Sequence, residues 1–293
     1  FILGLIPESL LRHAFFIVLL VTFFFINSNS LSASEAMAYH VVAAAGGYII
    51  GAYWLIKYMP VEVRKAMPLF EIKKWTTVAG PFLLIGGVQI IMGKIDVVLL
   101  GVLRNSAEVG IYEVAYKAAG LLFFGLNAIN FIVGPYFSRY YGYNQIKELQ
   151  KIATFSAVSS SVIAFFIAIF LIIFGSQLLE IVFGLSYKDS YSPMLILIAT
   201  QFVVVLSGSV VTLLNMTGFE NRVLLTMVVA ATLNIVLNLV FIPLYGVEGA
   251  ALTSLITTIV MKTSLVYISI QKVKVDPTVL YIMKFLYNKI IRR

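Results

Sequence analysis

The chain has 293 residues, of which 61% are hydrophobic and only 12% charged, with a net charge of +8 and a mean hydropathy of +0.99. A soluble domain of this length needs far more charge to cover its surface, so a water-soluble globular protein is excluded. The lack of cysteine excludes disulfides, thiolate chemistry and cysteine-based metal sites.

Apolar runs of about 20 residues recur along the chain, long enough to cross a bilayer as helices. The short alternating segments of a membrane barrel are not seen. The fold class expected is therefore all-α, a polytopic bundle of about eight transmembrane helices. In chain order they are expected at roughly 11–28, 37–57, 76–102, 109–134, 152–175, 193–216, 223–243 and 247–270. Turn-forming stretches such as NSNSLSAS, RNSAEVG, SYKDSYSP and PLYG separate them. Pro193 opens one helix and Pro243 closes another, as proline does at helix boundaries. The tail VDPTVLYIMKFLYNKIIRR is too short and basic to span and is expected to lie on the membrane surface as an amphipathic helix.

The cations alternate along this series. Arg12, Lys57, Arg64, Lys65, Lys73, Lys74, Arg139, Lys147, Lys151, Arg222, Lys272, Lys274, Lys284, Lys289, Arg292 and Arg293 fall on one side, 16 of 21. The opposite loops, near 30–35, 104–108, 180–190 and 244–247, hold only Arg104 and Lys188. Basic loops stay in the cytoplasm, so both ends of the chain are expected there. The excess positive charge is thus a topology signal, and a nucleic-acid partner is not expected.

An internal echo adds to this layout. SEAMAYHVVAAA (34–45) and VEGAALTSLITT (247–258) each open a small-residue helix on a glutamate, and each preceding helix starts at an arginine, Arg12 or Arg222. Read as a repeat, residues 1–74 are the last two helices of one six-helix bundle plus a cytoplasmic linker. Residues 75–271 are a complete second bundle and 272–293 its basic tail, with four helices expected upstream of residue 1. Chance likeness between two capped apolar helices is the competing explanation.

Polar side chains form stripes on these helices. Gly86, Gln89, Gly93 and Asp96 share one face, with Lys94 pointing largely the other way. The next helix carries Glu113, Lys117, Gly120, Asn127 and Gly134 on one stripe, with Asn130 beside it. Later stripes hold Gln201, Gly208, Thr212 and Asn215, and then Thr226, Ala230, Asn234 and Asn238. Amides and small residues also serve simply to join membrane helices. The charges weigh more, since an ion near mid-bilayer costs at least about 2.5–3.5 kcal/mol and faces a partner or a wet cavity. Lys94, Asp96, Glu113 and Lys117 are expected to meet in the outer half of the membrane. Snorkelling by Lys94 and plain neutralisation of Glu113 by Lys117 remain open, as does snorkelling by Lys262. His40 reads as a packed polar residue rather than a proton relay.

KIDVVLLGVLRNSAEVGIYEVAYKAAGLLFF (94–124) resembles the start of the second half of Wzx-type polysaccharide flippases. The positions concerned are Lys94, Asp96, Leu100, Gly101, Gly110, Ile111, Tyr112, Ala115 and Tyr116. GPYFSRYYG (134–142) and NRVLLTMVVAATLNIVLNLVFIPLYGVEGAALTSLI (221–256) resemble later parts of the same family. The resemblance implies the multidrug/oligosaccharidyl-lipid/polysaccharide exporter superfamily, with two six-helix bundles around a central cavity and transport by alternating access. It implies flipping of undecaprenyl-diphosphate-linked oligosaccharides across a bacterial or archaeal cytoplasmic membrane for polysaccharide or O-antigen assembly. Contacts with membrane lipids and with polysaccharide assembly proteins go with that role.

On this reading Lys94, Lys117 and Arg12 are the expected anion contacts. Gln89, Asn127, Asn130, Asn234 and Asn238 are expected to replace water around sugar hydroxyls. Asp96 and Glu113 are candidates for a coupling ion, H+ or Na+. Two alternatives stand beside it: a drug/cation antiporter of the same superfamily, and a membrane-integral polysaccharide polymerase or glycosyltransferase. The long loops 58–75 and 176–192 lack the cluster of acids, histidine or arginine that such an enzyme needs. No catalytic residues, cofactor or metal site are expected.

Overall fold

The computed structural model describes residues 11–26, 32–60, 63 and 70–281, and every regular element among them is helical. Among the described residues five helices are long and apolar enough to cross a membrane, or six if a bent pair counts as one, with a shorter apolar helix at Arg12–Phe24. Large apolar side chains such as Phe166, Ile173 and Ile181 stand exposed on their flanks, as a lipid-facing surface requires and a wet one does not tolerate. The chain is an all-α, multi-pass membrane bundle.

Two compact units divide it, Phe1–Glu71 and Ile72–Arg293. In the first, α1 (Arg12–Ile26) packs on α2 (Ala33–Tyr58). α2 starts four residues before the expected position because Ser32 and Glu35 form a capping box: the Ser32 hydroxyl accepts from the Glu35 amide, and the Glu35 carboxylate accepts from the Ser32 amide at 2.9 Å. His40 packs edge-on against the Phe16 ring, with centroids 5.3 Å apart. The basic pair 64–65, the stretch 27–31 and most of the expected surface tail, 282–293, lie outside the described residues.

In the second unit α3 (Ile72–Leu103) is followed by α4 (Ser106–Gly120) and α5 (Phe123–Gly142). The last two replace the single helix expected at 109–134, and they meet at a 50° bend. At the bend the amides of Leu121 and Leu122 bond three residues back, to Ala118 and Ala119, which tightens the turn just after Gly120. α6 (Ile146–Phe183) follows, then a 3-10 turn, Leu185–Ser190.

The expected helix 193–216 is also divided, into α7 (Tyr191–Leu206) and α8 (Val210–Met216). Gly208 sits between them at φ +60, and a Cβ there would overlap the Pro277 carbonyl oxygen. Only glycine accommodates both the left-handed backbone and that close approach. The segment after the last helix is strapped here: the Val279 amide donates to the Leu206 carbonyl, and the Gln150 side chain brackets Asp276 through two backbone bonds of 2.7 and 2.8 Å.

α9 (Glu220–Ile268) holds two of the expected helices. Gly246, at φ 59 and ψ −130, breaks it. A Cβ on Gly249 would overlap the Phe241 carbonyl oxygen, although residues eight apart in a straight helix are about 12 Å apart. The two arms therefore fold back as an antiparallel hairpin, with Asn234 opposite Thr257. Arg104 clamps its turn by donating to the carbonyls of Ile242 and Pro243, both at 3.2 Å. Arg104, Glu108, Asp189 and Glu248 surround one small pocket, so three of the loops expected outside the cell share one end of this unit.

Candidate functional site

A cavity of about 640 Å3 lies within the second unit. Its walls come from two apolar clusters, Leu126 and Leu197 from one and Met227 and Met261 from the other. Between them the lining is polar: Gln89 and Asp96 from α3, Asn127 and Asn130 from α5, Thr200 and Gln201 from α7, Thr212 and Asn215 from α8. α9 supplies Asn234, Ser254, Thr257, Thr258 and Lys262. Two of the three helix breaks open onto it, through Phe123 beside the α4–α5 bend and through Gly208 and Ser209. Interrupted helices are tolerated at membrane depth where they line such a cavity.

Asp96 is the polar centre of one end. It is 4% exposed, and every donor in reach points at it. The Tyr112 hydroxyl donates to Oδ2 at 2.6 Å, Asn238 Nδ2 donates to Oδ1 at 2.6 Å, and the Ser254 hydroxyl donates to Oδ2. Asn238 also donates to Asn234 Oδ1 at 3.0 Å, and Asn234 Nδ2 reaches Thr257 at 3.5 Å. The network joins α3, α4 and both arms of α9.

The four charges expected to meet do not all do so. Lys94 Nζ lies 2.7 Å from Glu113 Oε1, and Lys117 Nζ lies 3.7 Å from Glu113 Oε2. Asp96, two residues from Lys94 on the helix, is turned inward away from them. The lysine side chains are 61% and 69% exposed and neither lines the cavity, nor does Glu113. Helical spacing accounts for this: residues 94 and 96 are about 200° apart around α3, so one of them must leave the inner face.

Gln89, Asn127, Asn130 and Asn234 do line the cavity. Asn238, expected on the cavity wall, is wholly buried behind it, where it holds Asp96. Arg12 belongs to the first unit, with its Nε buried and without a hydrogen-bond partner among the described residues. Sequence reasoning left snorkelling by Lys262 open and did not place it in the cavity, yet it is 8% exposed and faces the cavity. The stripe Ser254, Thr258 and Lys262, at spacings of four, was the signal that could have found it. Tyr112, placed by the family resemblance alone, proves to be an Asp96 ligand.

Together the fold and the site define a multi-pass α-helical membrane protein whose second unit encloses a polar cavity bounded by broken helices. The family model for polysaccharide biosynthesis proteins matches residues 13–192, and the chain belongs to that family. It is 24% identical over 239 residues to a Haloferax volcanii protein described as "Probable low-salt glycan biosynthesis flippase Agl15", covering 79% of this chain and 48% of that one. It is 26% identical over 166 residues to another from the same organism, "Probable flippase AglR", covering 56% and 35%. The chain thus spans about half or less of the length of these relatives. Among solved structures, an outward-facing multidrug resistance MATE family transporter of the MOP superfamily shares the fold, with a TM-score of 0.53 and 22% identity over 68% of this chain and 45% of that one.

Proposed function

We propose that the protein containing this chain is a flippase for lipid-linked oligosaccharides in polysaccharide biosynthesis. Its cargo on this reading is a glycan on a polyprenyl diphosphate such as undecaprenyl diphosphate, moved from the cytoplasmic to the external leaflet by alternating access. Helices α1 and α2 would close one six-helix bundle and the second unit would form the other. The observation that carries the reading is the cavity itself. A glycan must cross hydrocarbon without losing the partners of its hydroxyls, and unsatisfied polar groups there are expensive. Gln89, Asn127, Asn130 and Gln201 bring amide donors and acceptors to the cavity from three helices.

Asp96 favours a second reading at the level of coupling. A carboxylate held by three donors at the cavity edge is a place where H+ or Na+ can enter, and a cation antiporter would use it in the same way. The test is export complementation in cells lacking their own flippase, followed by lipid-flipping in vesicles with the full-length protein. Glycan export restored by the wild type, together with flipping of the lipid-linked glycan, supports the proposal. Cation-driven drug efflux without glycan flipping would replace it with the antiporter.

A further inference from the structure

Among the described residues, only two formally charged side chains line the cavity, Asp96 and Lys262. They differ in one decisive respect. Both Asp96 oxygens are occupied by protein donors. Lys262, more than nine-tenths buried, has no hydrogen bond and no ion pair among the described residues. Asp96 does not serve as its partner. The two charges lie in different parts of the cavity: Ser254, which touches Asp96, is eight residues from Lys262 on the same helical arm, about 12 Å along the axis. A buried ammonium with three unused donors is costly unless an anion meets it. Neighbouring side chains offer none: Thr258, Met261 and Met227 are uncharged. Lys262 also lies away from the Gly246 turn, toward the end of the arm that leads into Lys272 and Lys274.

We propose that Lys262 is the anion contact of this cavity and sets the orientation of its cargo. The phosphate or diphosphate of the carrier lipid docks on the Lys262 ammonium in the inner half. The uncharged sugars extend past Asn215, Asn130 and Gln89 toward the Asp96 end, where a carboxylate repels a second phosphate. This rests on the flippase reading above and assigns the phosphate to a lysine inside one bundle, not to Lys94 or Lys117.

The test is binding to the full-length protein in phosphatidylcholine nanodiscs, with sugar-free undecaprenyl diphosphate as probe. Lys262→Gln should weaken binding about ten-fold or more, the worth of one charge-assisted contact, while Lys262→Arg stays within about three-fold of wild type. Undecaprenol, which lacks phosphate, should bind both proteins equally weakly. Thermal unfolding of Lys262→Gln should match or exceed wild type, because an unpaired buried charge has gone. Binding of the diphosphate by Lys262→Gln within about two-fold of wild type overturns the proposal, as does equal loss of undecaprenol binding, which would mean repacking. Displacement of the probe by phosphatidylglycerol at similar concentration would make Lys262 a seat for bulk lipid headgroups and overturn the carrier assignment. Export by wild type is read separately. If wild type exports and Lys262→Gln binds and exports normally, only Lys262 is refuted. Lysine-dependent diphosphate binding without export refutes the transport reading alone.

Discussion

Replacing Asp96 separates its structural role from a coupling role. In Asp96→Ala, three donors lose their acceptor in a buried setting: Tyr112 and Asn238 are at most 1% exposed, and Ser254 is partly buried. Each stranded buried group costs about 1–3 kcal/mol. The losses are not independent. Tyr112 and Ser254 stand 3.4 Å apart and can bond each other, and Asn238 keeps its bond to Asn234. The net cost expected is therefore about 2–4 kcal/mol, enough to lower the melting temperature by roughly 5–10 °C. Asp96→Asn should behave differently. Its amide can present oxygen to Asn238 and nitrogen to the two hydroxyls, which rotate to accept, so the cost should stay below about 1 kcal/mol. The assay is thermal unfolding of purified full-length protein in nanodiscs, paired with glycan export normalised to membrane abundance. If Asp96→Ala melts with wild type, or Asp96→Asn melts as low as Asp96→Ala, the account of this network is refuted. With stability retained, export by Asp96→Asn marks a cross-link, and its loss marks a coupling site.

Four further outcomes are expected. Gly208→Ala forces a Cβ against the Pro277 carbonyl at φ +60, so it should lower membrane abundance and melting temperature, whereas Gly142→Ala, with open space around it, should not. Arg104→Ala removes the bonds to Ile242 and Pro243 and should cost about 1–2 kcal/mol, seen as earlier melting, with Arg104→Lys recovering part. Glu113→Gln combined with Lys117→Met discharges a pair that stays outside the cavity, so export should continue at near wild-type level. If the cation bias sets both termini in the cytoplasm, Ser186→Cys should react with an impermeant maleimide in intact cells and Ser138→Cys should not; the reverse pattern would invert the topology.

The membrane bundle was legible in the sequence because hydropathy is a local property: a run of about 20 apolar residues has few other places to lie. The 16-to-2 loop bias of cations is equally local, and it predicted which loops share an end; Arg104, Glu108, Asp189 and Glu248 do come together. Helical periodicity likewise placed Gln89 with Asp96 and Asn127 with Asn130, since a 3.6-residue repeat sets which side chains share a face.

What periodicity cannot tell is which face meets protein and which meets lipid. Lys94 and Lys117 looked like cavity residues and stand exposed, while Lys262 looked like a snorkelling side chain and is enclosed. The outcome depends on how α9 folds back at Gly246 and packs on α3, a contact between residues some 140–160 positions apart, as in the bonds from Asn238 and Ser254 to Asp96. The helix breaks followed the same rule. Gly208 could have been carried inside a continuous helix at modest cost, and it breaks where the Pro277 strap, 69 residues later, comes so close that no side chain fits. The all-α multi-pass character thus follows from the water–lipid boundary acting on each segment alone. The cavity, and the cation in it that is unpaired among the described residues, follow only from long-range packing, where a single site has to satisfy several helices at once.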